Sequence, residues 1–398
     1  MTSTSSHPAR AAADAPGAAR PPARAVRVLL VAPSLDILGG QAVQAARLLE
    51  HLRDVPGLKV GFLAVNPRLP GPLRALQRVK YLRTLVTSAA YVASLLREVP
   101  QWDVVHAFSA SYWSFLLAPL PAMAVAKLYR KAVVLNYHSG EADDHLRRWP
   151  RSVSAMRRLA DVIAVPSGYL VSVFARHGLR AQSIFNFVDL DRIPFRERPA
   201  LPRPHFLSNR NFEPHYNVAG VLRAFARIQA EVPDARLTVA GFGSQRDVLH
   251  ALAGELGLRR VEFTGPVPSE RMLALYDEAD VYLNAPLIDN MPLSVIEAYA
   301  AGLPVVTSDA GGIPYIVRDG ETGLMVPRGD DAALAAAALR LLREPDLARR
   351  LAALGREECV AKYTWGAVRD EWGDLYMGIA RRPATPLREG AAAAAVHG

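Results

Sequence analysis

Short, almost wholly apolar runs recur along this chain, and each is followed by a stretch of helical periodicity. The first series comprises Val26–Val31, Leu58–Val65, Val104–Ala107, Val133–Tyr137 and Val162–Val165. The second comprises His205–Ser208, Leu237–Ala240, Val261–Thr264, Val281–Leu283 and Val305–Thr307. A strand that is apolar on both faces must be covered on both. Helices alternating with parallel strands provide that cover, so the pattern predicts βαβ units in a doubly wound α/β fold. A Pro- and Arg-rich stretch from Pro194 to Pro204 separates the two series and reads as a linker.

The expected division is a first Rossmann-like domain over 26–195, a linker over 196–204 and a second domain over 205–362. A last amphipathic helix, about Thr364 to Ile379, carries Trp365, Trp372 and Tyr376 and is long enough to cross back to the first domain. Residues 1–25 and 381–398 are Ala-, Pro-, Ser- and Arg-rich and read as disordered tails, the first having no apolar core that would make it a secretory signal. Two tandem domains of this kind leave a cleft between the carboxyl ends of their strands, the usual place for a ligand. The length of 398 residues and an apolar content of 51% suit two sizeable cores.

Cys359 is the single cysteine, which excludes an intrachain disulfide and a multi-thiolate zinc site and fits a reducing, cytoplasmic setting. No apolar run reaches the ~18 residues a membrane span requires. The best candidate, Phe115 to Ala126, is interrupted by Pro119 and Pro121. A formal net charge of +9 fits anionic partners such as nucleotide phosphates, nucleic acid or an acidic membrane face, and equally fits plain Arg-rich composition. Nucleic acid is the poorest of these, because no aromatic-basic motif accompanies the charge.

The second series carries the more informative loops. Strand Val281–Leu283 leads to Asn284-Ala285-Pro286, then Asp289-Asn290-Met291-Pro292, then a helix through Glu297. Both carboxylates can face the cleft, with the free amides of the helix start between them. Carboxylates that accept sugar hydroxyls and amides that bind phosphate are what a sugar nucleotide needs. On spacing alone, a plain turn and a surface helix residue would look the same.

Arg210, at the carboxyl end of the domain's first strand, can bind a diphosphate bidentately. Gly241 and Gly243 follow the next strand, but Arg246 stands where a dinucleotide fingerprint places its third glycine. A nicotinamide or flavin enzyme is therefore disfavoured, and the two glycines suit a tight turn bordering the nucleotide. Gly311 and Gly312 form a further turn after a strand, a weak signal alone. In the first domain, Gly39-Gly40 puts bare backbone between strand one and helix one, and His138 ends another strand facing the same cleft. Asp189-Leu190-Asp191 has the form of a metal-binding Asp-x-Asp pair, but its linker context reads as structural, and no metal is expected.

Taken in order, these segments resemble the GT-B retaining glycosyltransferases of family 4, the "glycosyl transferases group 1" class. The likeness runs from Val26 to about Tyr376 and is most specific over Asp280–Pro314. That stretch holds Asp289-Asn290-Met291-Pro292, Glu297-Ala298, Ala301-Gly302-Leu303-Pro304 and Ala310-Gly311-Gly312, while Pro166-Ser167 and Asn186-Phe187-Val188-Asp189 match the approach to the linker.

The resemblance implies a two-domain enzyme that uses a nucleotide-sugar donor of UDP or GDP type, without a metal or other cofactor. Asp289 occupies the first position of the family's Glu-x7-Glu pair and would hold the transferred sugar, with Glu297 on the nucleotide ribose. The amides of Asn290, Met291, Pro292 and Leu293 would assist, and the backbone near Val267 would meet the base. Arg210 matches the phosphate-binding arginine, but His215 stands where the family has a lysine. Gly40 and His138 match the acceptor-side loop and the cleft histidine.

The implied acceptor is an unspecified carbohydrate, lipid-linked or small molecule. Arg74, Arg78, Lys80, Arg83 and Arg97, interleaved with apolar residues, together with Arg147, Arg148, Arg151, Arg157 and Arg158, suit peripheral docking on an anionic membrane. A solvated helix face suits them as well. Two other functions share the architecture: a sugar-nucleotide 2-epimerase, and a non-catalytic sugar-nucleotide-binding protein suggested by His215.

Overall fold

The computed structural model describes residues 24–35, 39–68, 80–198 and 204–381. The segments read as tails lie outside the described residues except at Arg24, Ala25 and Arg381, and so do Arg74 and Arg78. Among the described residues, twelve strands form two parallel sheets of six. The first sheet contains β1 (Val26–Ala32), β2 (Leu58–Ala64), β3 (Val104–Ser109), β4 (Ala132–Tyr137), β5 (Val162–Val165) and β6 (Gln182–Ser183), ordered β2-β1-β3-β4-β5-β6. The second contains β7 (His205–Ser208), β8 (Arg236–Ala240), β9 (Val261–Gly265), β10 (Val281–Asn284), β11 (Val305–Ser308) and β12 (Leu324–Val326), ordered β12-β11-β10-β7-β8-β9.

The central strands are buried from end to end, as in the run Val104–Ser109, because helices cover both faces of each sheet. The strand order reverses between β1 and β3 in one sheet and between β7 and β10 in the other. Loops leaving two strands on either side of such a switch point diverge and open a crevice beyond their carboxyl ends. The first crevice receives Gly39-Gly40, the second Arg210 on one side and Asp289 on the other. Both β6 and β12 went unread in the sequence. They are edge strands of two and three residues, too short for a periodicity to register.

The last helix, Trp365–Ala380, buries Val368, Trp372, Leu375, Tyr376 and Ile379 in the core under the first sheet rather than the second. Tyr376 Oη lies 2.6 Å from His106 Nδ1 on β3, and the Trp372 ring stacks on His106. The chain therefore crosses between the lobes twice, and the crossings touch: Val188 bridges to Thr364, with its amide donating to Tyr363 O at 2.9 Å.

The stretch read as a linker is no free spacer where it is described. Arg196 Nε donates to Asp277 O at 2.7 Å, and Arg198 donates to Tyr276 O at 2.8 Å, Ala279 O at 2.7 Å and Ala301 O at 2.6 Å. These carbonyls end the helices Ser269–Glu278 and Leu293–Ala300, whose last turns have no intrahelical donor. Two arginines thus cap two helix C-termini and fasten residues 196–198 to the second lobe.

Candidate active site

Between the lobes lies a cleft of about 640 Å³, within the range of pockets that enclose ligands of this size. Of the expected residues, Gly39, Gly40, His138, Arg210, His215, Gly241, Val267, Asp289, Met291, Pro292, Leu293 and Glu297 line it. Gly243 and Asn290 are not among the lining residues.

Gly243 adopts φ +155°, and a Cβ there would meet Phe212 O at 2.6 Å. A Cβ on Gly241 would lie 2.1 Å from Arg210 O. The pair of glycines thus lets the turn after β8 press against the loop that carries Arg210, which it stabilises through Phe212 N to Phe242 O at 2.7 Å. The turn borders the cleft at Gly241 and Phe242, while Gly243 itself packs against the arginine loop.

Asn290 is 2% exposed. Its Oδ1 accepts from Ser167 Oγ of the first lobe, and its amide donates to Asp289 Oδ1 at 2.9 Å. Pro292 has no N–H. Of the four amides expected to meet the donor, those of Met291 and Leu293 remain at the mouth of the helix Leu293–Ala300. That helix has no side-chain cap and no acidic residue in its first turn, which leaves its positive end for an anion.

Arg210 is the electrostatic centre. Its Nη2 lies 2.5 Å from Asp289 Oδ2, its Nη1 donates to Ser294 Oγ at 3.0 Å, and its guanidinium rests 4.1 Å above the Tyr216 ring centroid. Burial alone would lower its pKa, but Asp289 and the surrounding tyrosine hydroxyls outweigh that effect and raise it, so the charge is fixed. Arg210 Nε has no partner among the described residues. His215 precedes Tyr216, with ring centroids 4.1 Å apart, and its carbonyl accepts from the Leu287 amide at 2.8 Å, which ties the Arg210 loop to the Asp289 loop.

Glu297 lies one helical turn into the cleft. Its Oε2 accepts from Tyr276 Oη at 2.9 Å, and Tyr276 Oη in turn accepts from Asn209 Nδ2 at 2.7 Å. Its Oε1 accepts from Arg47 Nη2 at 2.8 Å. Arg47, Tyr276, Asn209 and Ser294 were not singled out in the sequence. An Arg inside a helix of the opposite lobe and a Tyr in another helix carry no local motif, and only the fold brings them to Glu297.

On the first lobe, His138 stacks on Phe108 with ring centroids 5.4 Å apart. Burial pushes its pKa down to about 4, so the ring is neutral near pH 7, and its buried Nε2 has no hydrogen-bond partner among the described residues. Gly140 was also missed: a Cβ there would stand 3.0 Å from the Asp289 backbone, so the turn after β4 packs directly on the loop of the second lobe. Gly311 (φ +52°) and Gly312 cradle the other side of that loop, where a Cβ on either would lie 2.2 Å from a backbone oxygen, that of Asp289 or Asn290.

Asp189 pairs with His51 Nε2 at 2.5 Å and approaches Arg47 Nε at 3.7 Å, while Asp191 is exposed. Among the described residues, no group of three or more His, Cys, Asp or Glu side chains is placed to hold a metal ion.

Comparison with known proteins agrees with this geometry. The family described as Glycosyltransferase Family 4 matches residues 38–192, and Glycosyl transferases group 1 matches residues 190–358. Glycogen synthase of Mycobacterium tuberculosis is 30% identical over 298 residues, 71% of this chain and 70% of its own. Phosphatidyl-myo-inositol mannosyltransferase of Mycobacterium leprae is 29% identical over 385 residues, 89% of this chain and 97% of its own. The Anabaena HepE structure in complex with UDP-glucose superposes with a TM-score of 0.71 at 17% identity, covering 88% of this chain and 99% of that one, which shows the shared fold. Matched family by family across both lobes, with Arg210, Asp289 and Glu297 gathered on one cleft, the chain belongs to the family 4 glycosyltransferases of the GT-B fold, enzymes that draw on nucleotide-sugar donors.

Proposed function

We propose that the chain transfers a hexosyl group from a UDP- or GDP-sugar to a hydroxyl acceptor with retention of anomeric configuration and without a metal ion. One observation carries the reading. A fixed arginine charge, an uncapped helix N-terminus and two carboxylates converge on a single cleft.

In this reading the diphosphate lies against Arg210 and the amides of Met291 and Leu293. Glu297 accepts from the ribose hydroxyls, and Asp289 accepts from the transferred sugar. The acceptor hydroxyl attacks the anomeric carbon as the bond from that carbon to the diphosphate oxygen breaks, and the hydroxyl proton passes to the departing phosphate oxygen. Negative charge grows on the diphosphate during this step, and Arg210 with the helix amides stabilises it where it develops. Retention is supported by family membership, and it would follow from a front-face approach of the acceptor from the first lobe, where His138 and Gly40 lie.

A lipid-borne polyol acceptor is supported by the name of the mycobacterial mannosyltransferase relative and by the surface of the helix Lys80–Glu98. Leu85 is 68% exposed there beside Arg83, and Trp113, 67% exposed, follows β3 on the same lobe. Such a mixture fits the face of an anionic bilayer, consistent with a place on the cytoplasmic side of a membrane.

The test is a thermal-shift panel of UDP-, GDP- and ADP-sugars, since a ligand that binds the native state raises the midpoint. It is followed by release of free nucleotide with and without candidate acceptors. One class of sugar nucleotide should raise the midpoint and be turned over. A chain that binds none of them, or binds without any release, contradicts the proposal.

A further inference from the structure

Arg47 lies in the helix Gly40–Leu52 of the first lobe, yet its guanidinium reaches across the cleft to a carboxylate of the second. It is held at its own side by two contacts: Nη1 donates to Phe187 O at 3.2 Å, and Nε lies 3.7 Å from Asp189 Oδ2. Its side chain is 16% exposed, that of Glu297 15% and that of Asp189 11%, so the ion pair lies largely out of solvent and is only weakly screened by salt.

An ionised carboxylate offers about four acceptor sites. Arg47 takes one on Oε1 and Tyr276 takes one on Oε2. About two are left, one on each oxygen, which is the number a ribose 2′,3′-diol requires. The two protein donors also fix the carboxylate plane, so a ligand need not stop its rotation.

We propose that Arg47 positions the Glu297 carboxylate for the donor ribose, so that the nucleotide is captured by a group completed only when the two lobes are closed. The inference rests on Glu297 as the ribose acceptor. It makes Arg47 a positioning residue, acting through Glu297 rather than on the sugar.

The experiment measures binding of UDP and GDP, and of their 2′,3′-dideoxy forms, by calorimetry to the wild type, Arg47→Met, Arg47→Lys, Gln44→Met and Glu297→Ala. Gln44 serves as a control because its Nε2 holds the same Phe187 carbonyl, at 2.7 Å, without touching Glu297. For the nucleotide that the wild type binds, Arg47→Met should weaken affinity by about tenfold or more, the loss expected from one charge-assisted hydrogen bond.

The same variant should change affinity for the dideoxy form by less than about twofold, because no hydroxyl remains to be oriented. Arg47→Lys should recover part of the loss, as a charge without the planar fork. Gln44→Met should affect both forms alike. Equal weakening of both forms by Arg47→Met, unchanged affinity, or tighter binding with Arg47 acting as a plug would each overturn the proposal while leaving Glu297 in place. Unchanged affinity in Glu297→Ala would instead remove the ribose reading itself, and this inference with it.

Discussion

Arg210 and Asp289 form the ion pair on which the donor site is built, and removing either partner separates two roles. The pair is 2.5 Å apart with side chains 9% and 11% exposed. With charge centres about 4 Å apart, the attraction is roughly 4 kcal/mol at an effective dielectric near 20. Stripping one partner from a buried pair costs about 3–5 kcal/mol, because the other charge is left uncompensated.

The residual exposure places Arg210→Met and Asp289→Asn at the lower end, about 3 kcal/mol each. For a folding unit of 150–250 residues that is a fall of roughly 6–12 °C in melting midpoint. The double variant should lose well short of the sum, with at least about 2 kcal/mol of coupling, since no lone charge remains. The double variant would thus be less stable than the wild type by no more than about 4 kcal/mol instead of about 6, and donor turnover would not return. Calorimetric melts of the four proteins without ligand provide the cycle. Single losses that add within about 0.5 kcal/mol would show that the two groups do not depend on each other, and the electrostatic account of the site would be withdrawn.

Three further outcomes are expected. Gly311→Ala places a methyl on a residue at φ +52° and 2.2 Å from Asp289 O, so it should displace the Asp289 loop and weaken donor binding by at least roughly tenfold; titration with wild-type affinity would contradict the cradle. Chelation with EDTA should leave turnover within about twofold, Arg210 and the helix amides supplying the positive charge; activity lost with chelator and restored by magnesium or manganese would refute this. Burial holds the imidazoles of His106, His138 and His145 at about 3, 4 and 4, below their ordinary 6.5. The unfolded chain therefore takes up protons first as pH falls below about 6.5, and stability should drop through that window by up to about 1.4 kcal/mol per pH unit for each ring. Urea midpoints that match at pH 7.5 and 5.0 would count against these rings being neutral in the fold.

The residues legible in the sequence share one property: each lies in the loop or the first helical turns that follow a strand's carboxyl end. Strand Val281–Asn284 is buried throughout and bounded by Pro286, so Asp289 and Glu297 could be placed by counting forward. The same holds for Arg210 after β7, Gly40 after β1 and His138 after β4. Arg47 and Tyr276 lie inside helices and could not be found this way, and Gly140, though it follows β4, gives no local sign of its partner: Arg47 and Gly140 meet residues 250 and 149 positions away across the two lobes, and Tyr276 meets Glu297 21 positions away through the packing of two helices of one lobe. Asn290 shows the converse. Its backbone amide was expected to meet the donor, whereas it donates to Asp289 Oδ1, and the side chain accepts from Ser167 of the other lobe. Arg196 and Arg198 were read as linker composition because nothing local records that two helix ends wait for them.

That clamp has a mechanical corollary. With residues 196–198 fixed to the second lobe, the compliant part of the first crossing is shortened to the few residues around Phe187–Phe195, and the second crossing at Tyr363–Thr364 is hydrogen-bonded alongside it. A body joined by two adjacent, mutually tied pins can swing about the line through them but resists torsion and sliding. The lobes would then open and shut along one arc, like a jaw rather than a ball joint, returning the same teeth to the same sockets at each stroke.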